Sequence, residues 1–328
     1  MPFIARMGIA RRGLVLVALA GLVTPAAAQD YPSKTVKIIV PFGAGGPADV
    51  YARFIGQHLQ ETLKQSFVVE NRPGAGSIIG SGEVAKAAPD GYTLLMMSNT
   101  HTVNETLIPN KPFQLMRDFV PVAPVNYSDL IMVVHPSVPA KDLKEFVALL
   151  KAKPGELNYA SSGPGTPYHM AGELFKSMSG TDLKHVPHRG SGDARTSVLG
   201  GHVQMMFDAI TTMAPNAEAG QVRALGTTGK GRSAITPNLP TVGEAGVPGY
   251  EATIWLGIVA PAGTPQPIVD KLNAEINKVL DKPDVKAAWG KQGAVPMVMS
   301  PAAFDTYMRA DIAKWAKVIQ DAGIKMQQ

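Results

Sequence analysis

VKIIVPFGAGGPAD, residues 36–49, runs from an unbroken apolar stretch through a glycine-rich loop into a sequence suited to a helix. Residues 36–40 read as a strand buried on both faces, as in a parallel sheet. Gly43, Gly45 and Gly46 allow close approach to the main chain, and Pro47 suits a first helical turn. Val50, Phe54, Leu59 and Leu63 share one face of a helix predicted over 48–64. Further along, 67–70 reads as a strand, 76–87 as a helix ended by Pro89-Asp90-Gly91, and 93–97 as a strand. This β-α-β-α-β order is that of a parallel sheet with right-handed crossovers.

The pattern restarts after Pro124. Strands are predicted at 130–134, 157–160, 184–186, 203–207 and 222–226, with helices at 142–153, 166–179 and 194–199. A Gly/Pro-rich connector spans 237–249, followed by a strand at 254–260 and helices at 266–280 and 301–322. The last helices bring few strands of their own, so they are expected to pack back on the first half. Residues 29–125 and 247–328 then form one discontinuous lobe, and 126–246 the other. A length of 328 residues agrees with two domains.

Composition narrows the function. With 45% hydrophobic and 17% charged residues, the chain is neither disordered nor fibrous. The absence of Cys excludes disulfides, thiolate metal sites, a Cys nucleophile and a lipid-modified N-terminal Cys. Residues 1–28 read as an export signal: Arg6, Arg11 and Arg12, an apolar run over 14–23, then Ala26-Ala27-Ala28 before Gln29. That run is about half the length of a membrane span, so the expected product is a periplasmic protein not embedded in the membrane. Cleavage removes three Arg and no acid, taking the net charge from +5 to +2. No long Lys/Arg run remains, which argues against nucleic acid as a partner. No cofactor is expected.

Four glycine-rich loops follow predicted strands, where open α/β sheets bind ligands. Helix N-termini there offer unpaired N–H groups and a partial positive charge to anions. The first loop, 41–49, lacks Gly-Lys-Ser/Thr and is not a phosphate loop. The second, Asn71-Arg72-Pro73-Gly74-Ala75-Gly76-Ser77, matches a dinucleotide fingerprint only loosely, and Ser98-Asn99 stands where an acidic residue is needed. The third is Ser161-Ser162-Gly163-Pro164-Gly165-Thr166-Pro167-Tyr168-His169. The fourth, Pro187-His188-Arg189-Gly190-Ser191-Gly192-Asp193, adds an imidazole and a guanidinium. Asp208 ends the strand predicted at 203–207 and either joins the site or caps the next element. Ser162 and Thr166 also suit helix caps, and His169 suits a packing role. The seven His do not form a metal-ligand spacing.

These segments, in this order behind an export signal, resemble the Bug family of periplasmic solute receptors of tripartite tricarboxylate transporters. The resemblance also covers Tyr31-Pro32, Pro89-Asp90-Gly91-Tyr92-Thr93-Leu94-Leu95, Tyr159-Ala160, Leu199-Gly200-Gly201-His202-Val203 to Phe207-Asp208, and Leu239-Pro240-Thr241-Val242. It implies an α/β, type II periplasmic-binding-protein fold, two lobes with a ligand cleft between them. It further implies a ligand carboxylate gripped, largely by backbone amides and ordered water, between Phe42, Gly43, Ala44, Gly45, Gly46 and Ser161, Ser162, Gly165, Thr166. The stretch His188-Arg189-Gly190 departs from the Tyr-Lys-Gly common in relatives.

The expected function is therefore capture of a small carboxylate, without chemistry, by a monomer serving a membrane transporter or a sensor. The loop Ser98-Asn99-Thr100-His101 and Arg189 are expected to set the far end of the ligand, Arg189 favouring a second carboxylate on an aromatic or aliphatic diacid. The candidate site also includes His169, His188 and Asp208. One rival is a secreted serine hydrolase using Ser162 or Ser191 with His169 or His188, although no carboxylate stands at a recognisable spacing to orient either His. Another is the effector domain of a transcription regulator, which needs a DNA-binding segment where the export signal stands.

Overall fold

The structure is a computed structural model that describes residues 1, 2 and 31–325. The export signal expected over 1–28 lies, from residue 3 on, outside the described residues. The opening elements follow the predicted order: β1 (Val36–Val40), α1 (Pro47–Leu63), β2 (Phe67–Asn71), α2 (Ile78–Ala85) and β3 (Thr93–Ser98). β1 lies parallel between β2 and β3. Then come α3 (Asn99–Leu107), α4 (Leu115–Asp118), β4 (Phe119–Val134), α5 (Leu143–Ala152), β5 (Asn158–Ser161), α6 (Pro167–Ser179) and β6 (Lys184–Pro187). α7 (Ser191–Leu199), β7 (Met205–Ala209), α8 (Ile210–Glu218) and β8 (Arg223–Thr227) complete the second pattern. After the connector, β9 (Thr253–Pro261), α9 (Gln266–Leu280), α10 (Pro283–Gly290), β10 (Ala294–Pro296) and α11 (Pro301–Asp321) close the described chain.

The sheet runs β2-β1-β3-β9-β4-β7-β5-β6, with β8 and β10 also on β4. It is mixed rather than parallel throughout: β9 is antiparallel to β3 and β4, and β4 to β7 and β8. β5 is parallel to β6 and β7. β4 joins the two halves. Its residues from Phe119 to Asp129 pair with β9, and those from Leu130 to Val134 with β7 and β8. The chain crosses again just before β9, where the Ala252 N–H donates to the Thr228 carbonyl.

Alternation along β4 decides how the second half is covered. Leu130, Met132 and Val134 enter one core with Phe146, Tyr159, Phe175 and Phe207. Ile131 and Val133 enter another, with Ala194, Val198 and Ile210. A sheet apolar on both faces and sandwiched by helices results. In the first half, Ile39, Leu95, Met97 and Trp255 pack against Phe304 and Met308 of α11. A further cluster joins α3, α6 and the end of α11 through Val103, Leu107, Met170 and Trp315.

The structure differs from the sequence reading in identifiable places. Ser98-Asn99-Thr100-His101 is not a loop: Ser98 caps α3, accepting from the Thr100 N–H at 3.2 Å, while the His101 ring accepts from the Ser98 N–H at 3.3 Å. α3 shows no amphipathic pattern because its polar face is buried as well. β4 starts 11 residues earlier than predicted; Pro121 and Pro124 mask it, and the register shifts beside each. Pro215 hides α8 in the same way. The strand predicted at 203–207 is displaced to β7, which takes in Asp208.

Candidate functional site

Two loops that line one cavity share one local construction. In Gly45-Gly46-Pro47-Ala48-Asp49, Gly45 has φ 78°, Gly46 caps α1 and Pro47 opens it. In Gly165-Thr166-Pro167-Tyr168-His169, Gly165 has φ 72°, Thr166 caps α6 and Pro167 opens it. In both, the fifth residue reaches back to the first. The Gly45 N–H donates to Asp49 Oδ2 at 3.0 Å, and the Gly165 N–H to His169 Nδ1 at 3.1 Å. This five-residue pattern is written twice in the sequence, and the sequence reading missed it.

The supports differ in charge. Burial pushes the Asp49 carboxyl up, but hydrogen bonds from Arg53, Gly45 and Asn71 outweigh it and hold the group below its usual range. Asn71 also donates to the Phe42 carbonyl at 3.2 Å, so the second glycine loop braces the first. Burial, with Lys176 nearby, lowers His169 to about 4, which keeps its ring neutral and able to accept. The Thr166 hydroxyl donates to the Gly163 carbonyl at 2.6 Å, and the Gly163 N–H to Ser161 Oγ at 3.1 Å.

These bonds engage the amides of Gly45, Gly163, Gly165 and Thr166 inside their own loops. The next amides remain open. Among the described residues, the N–H groups of Gly46, Ala48, Ser162, Tyr168 and Ser191 have no intramolecular acceptor. All five residues line one cavity, with Phe42, Gly43, Pro47, Ser98, Pro167, Ile254 and Leu256. Its free space is small, about 30 Å³, and no lining residue is charged. α1, α6 and α7 thus direct unpaired donors at one space, the arrangement that suits an anion.

The two halves meet at its rim. A Cβ placed on Gly43 would lie 3.3 Å from the Gly190 Cα, and one on Gly46 would lie 2.7 Å from Ser191 Oγ. Outside lies an open groove lined by His188, Arg189, Lys111 and Asp193. Lys111 is neutralised by Glu105 at 2.7 Å. Arg189 is exposed and makes no ion pair among the described residues. His188 Nδ1 lies 3.0 Å from the Val186 carbonyl.

Other residues singled out in the sequence lie behind this surface. Asp208 lines neither the cavity nor the groove. It is fully buried, pairs with Arg195 at 2.7 Å and accepts from the Ala209 N–H. Burial pushes its carboxyl up against the opposing pull of Arg195. Arg195 also donates to Thr212 Oγ1 at 2.7 Å, so this pair ties α7, β7 and α8 together. Asn99 bridges to β9 through the Thr253 carbonyl at 3.0 Å. Thr100 is engaged with Ser98. His101 lies 2.8 Å from Ser81 and edge-on to the Phe42 ring, and burial lowers it to about 4.

Outside the ligand set expected from the sequence stand Ala48, Tyr168 and Ser191, whose amides are open, Pro47 and Pro167 beside them, and Ile254 and Leu256 on the floor. In β9 the last two read as ordinary core positions, and they are buried, 5% and 1% exposed, while also lining the cavity. The serine–histidine pairs of the hydrolase reading do not form. The close pair at this loop is Ser161–His185, 2.6 Å apart, with the serine fully buried. Burial lowers His185 to about 3, far too weak a base to activate a hydroxyl at neutral pH.

Comparison with known proteins agrees with this geometry. The family profile TctC, described as "Tripartite tricarboxylate transporter family receptor", matches residues 51–324. Protein BugT of Bordetella pertussis is 36% identical over 315 residues, covering 95% of this chain and 97% of BugT. R. palustris Rpa4515 with adipate superposes with a TM-score of 0.87 at 34% identity, covering 90% of this chain and 99% of the other. MatC (Rpa3494) from Rhodopseudomonas palustris with bound malate gives 0.84 at 34% identity, covering 88% and 100%. No helix among the described residues is long and apolar enough to cross a membrane. The fold is the two-lobed α/β fold of periplasmic binding proteins, and the chain belongs to the tripartite tricarboxylate transporter receptor family as a Bug-type solute receptor rather than an enzyme.

Proposed function

We propose that this receptor captures a small dicarboxylate in the periplasm, as a monomer, and presents it to the membrane subunits of a tripartite tricarboxylate transporter. The observation that carries the reading is the convergence of five open main-chain amides on a cavity with no charged lining residue. A carboxylate is the ligand that such donors suit, because it accepts several hydrogen bonds at once and gains from the helix termini. Each helix end contributes about 0.3–1 kcal/mol, and more where partly buried. Hydrogen bonds to the charged group contribute roughly 1.5–3 kcal/mol each. Three or four together offset ordering and closure and leave about −8 kcal/mol, a micromolar affinity.

Arg189, unpaired at the rim, attracts anions and favours a solute with a second carboxylate. The apolar floor of Ile254 and Leu256 favours a hydrocarbon middle. The adipate in Rpa4515 and the malate in MatC support a diacid. In this reading residues 29–125 and 247–328 move as one lobe and 126–246 as the other. Closure brings Gly43 to Gly190 and forms the surface the transporter recognises. A thermal-shift screen of the purified protein against mono-, di- and tricarboxylates and their neutral amides tests the proposal. Stabilisation by dicarboxylates and not by the amides is the expected result. A melting curve unmoved by every acid contradicts it.

A further inference from the structure

Beside the cavity floor, on the same face of the sheet but outside the residues that line the cavity, lies a polar group that no hydrogen bond explains. Asn126 lies in β4 at the crossing between the halves and is 3% exposed. Its side-chain Nδ2 is buried and has no hydrogen-bond partner. A buried donor left unpaired costs roughly 1–3 kcal/mol, so such a group calls for an acceptor from outside the chain.

The sheet register shows which way the side chain faces. Residues directly opposite each other in an antiparallel ladder share a face. Asn126 is opposite Leu256 of β9, and Leu256 is opposite Ser98 of β3. Leu256 and Ser98 both line the cavity, as does Ile254, two residues along β9 on the same face. The intervening pair, Tyr127 and Trp255, faces the other way. The Trp255 ring packs on Phe304 and Tyr307 of α11, with ring centres 5.8 and 5.3 Å apart. Two independent sets of contacts therefore put Asn126 on the sheet face that carries Leu256 and Ser98, one strand beyond the cavity lining and opposite Pro296 of β10 on its other side.

We infer that Asn126 is a specificity-determining residue, its amide donating to an acceptor oxygen at the end of the solute remote from the helix termini, with the hydrocarbon middle lying over Leu256. The inference rests on the dicarboxylate reading and deepens it: selection for the second acid group comes from a buried neutral amide on the sheet, beyond the attraction of Arg189 at the rim. A neutral donor discriminates between a diacid and the corresponding monoacid because only the diacid supplies the missing acceptor.

Calorimetric titrations with glutarate and adipate, and with valerate and hexanoate as chain-matched monoacids, test it on the purified protein, Asn126→Ala and Asn126→Asp. The expected result is a loss of about tenfold or more for the diacids in Asn126→Ala, the strength of one such hydrogen bond. A larger loss is expected in Asn126→Asp, where a carboxylate replaces the donor. Affinity for the monoacids that bind should stay within about twofold in Asn126→Ala, on the scale of a neutral distant change. Equal losses for both acid classes, or no loss, overturn the role of Asn126 while leaving the receptor reading intact. If the unsubstituted protein binds none of these acids, nor any in the thermal-shift screen, the receptor reading itself fails and this inference with it.

Discussion

At the scale of single residues, the site is a division of labour among neighbouring amides. Gly45 and Gly165 turn their N–H groups inward onto Asp49 and His169, so that the following amides face the cavity. Gly45 has φ 78°, a conformation that a β-branched residue resists and Asn tolerates. Gly45→Val is therefore expected to lower solute affinity by about a hundredfold, corresponding to about 2.7 kcal/mol of strain and misaimed donors. Gly45→Asn should retain affinity within about tenfold. Calorimetry on both variants checks the contrast, and equal losses would count against the local conformation as the cause. The glycine-rich loops are legible in the sequence because Gly and Pro mark turns by composition. Which amides stay open is not, since that depends on a side chain returning from four positions later.

The buried imidazoles add a prediction at the same scale. His101 and His169 are lowered to about 4, and His185 to about 3, chiefly by burial. Below the ordinary value near 6.5, the unfolded chain binds protons that the folded protein does not. These groups therefore leave stability untouched above about pH 6.5 and withdraw it as the pH falls towards 4. Histidine proton NMR should find all three rings neutral at pH 5.5. His185→Gln should flatten the fall in melting temperature between pH 6.5 and 4; an unchanged slope would mean that this ring carries no such linkage.

At the scale of elements, the site is made by three helix ends meeting. α1 arrives from one half of the molecule, α6 and α7 from the other, and Gly46 is the point of closest approach to Ser191. Gly46 has ordinary extended dihedrals, so Gly46→Ala brings no backbone strain; its methyl group crowds Ser191 Oγ at 2.7 Å and meets the Gly43 carbonyl at an ordinary 3.8 Å. The substitution should lower affinity about tenfold, or about 1.4 kcal/mol. Adding Ser191→Gly should restore most of it, because the space returns and the Ser191 amide position survives. Failure of the second change to compensate would mean that α1 and α7 do not meet in the solute-bound form. The amphipathic helices α5 and α9 and the apolar strand β1 are legible by periodicity; α1 is legible as a helix, but it buries Tyr51, Ala52, Ile55 and Leu59 and leaves Val50 exposed, so of the face read from the sequence only Leu59 is buried. α3 is not, because both its faces are buried, and β4 is not, because its prolines sit at register shifts. Asp208 reads as a strand-end residue only while β7 is placed two positions early; inside the strand it becomes the buried partner of Arg195.

At the scale of the whole molecule, the halves are joined by the shared strand β4, by the return crossing before β9, and by the cluster in which Trp315 and Ile319 of α11 meet Val103 of α3 and Met170 of α6. Movement of one half against the other must bend the crossing segments near Asp129 and Ala252 while the cores on either side stay intact. Small-angle scattering should therefore show a smaller radius of gyration with a bound diacid than without, and identical curves would argue against closure. The two-lobed plan is legible in the sequence from the restart of the strand–helix pattern and the returning C-terminal helices. The antiparallel placement of β9 and β4 is not, because pairing partners far apart in the chain leave no local mark.

The central claim is that open main-chain amides recognise a carboxylate as an anion. Calorimetric titration of the purified protein with adipate and, in parallel, with its neutral diamide tests this most directly. The acid is expected to bind saturably in the micromolar range, near −8 kcal/mol, and the diamide not at all. Equal binding of both compounds would contradict it.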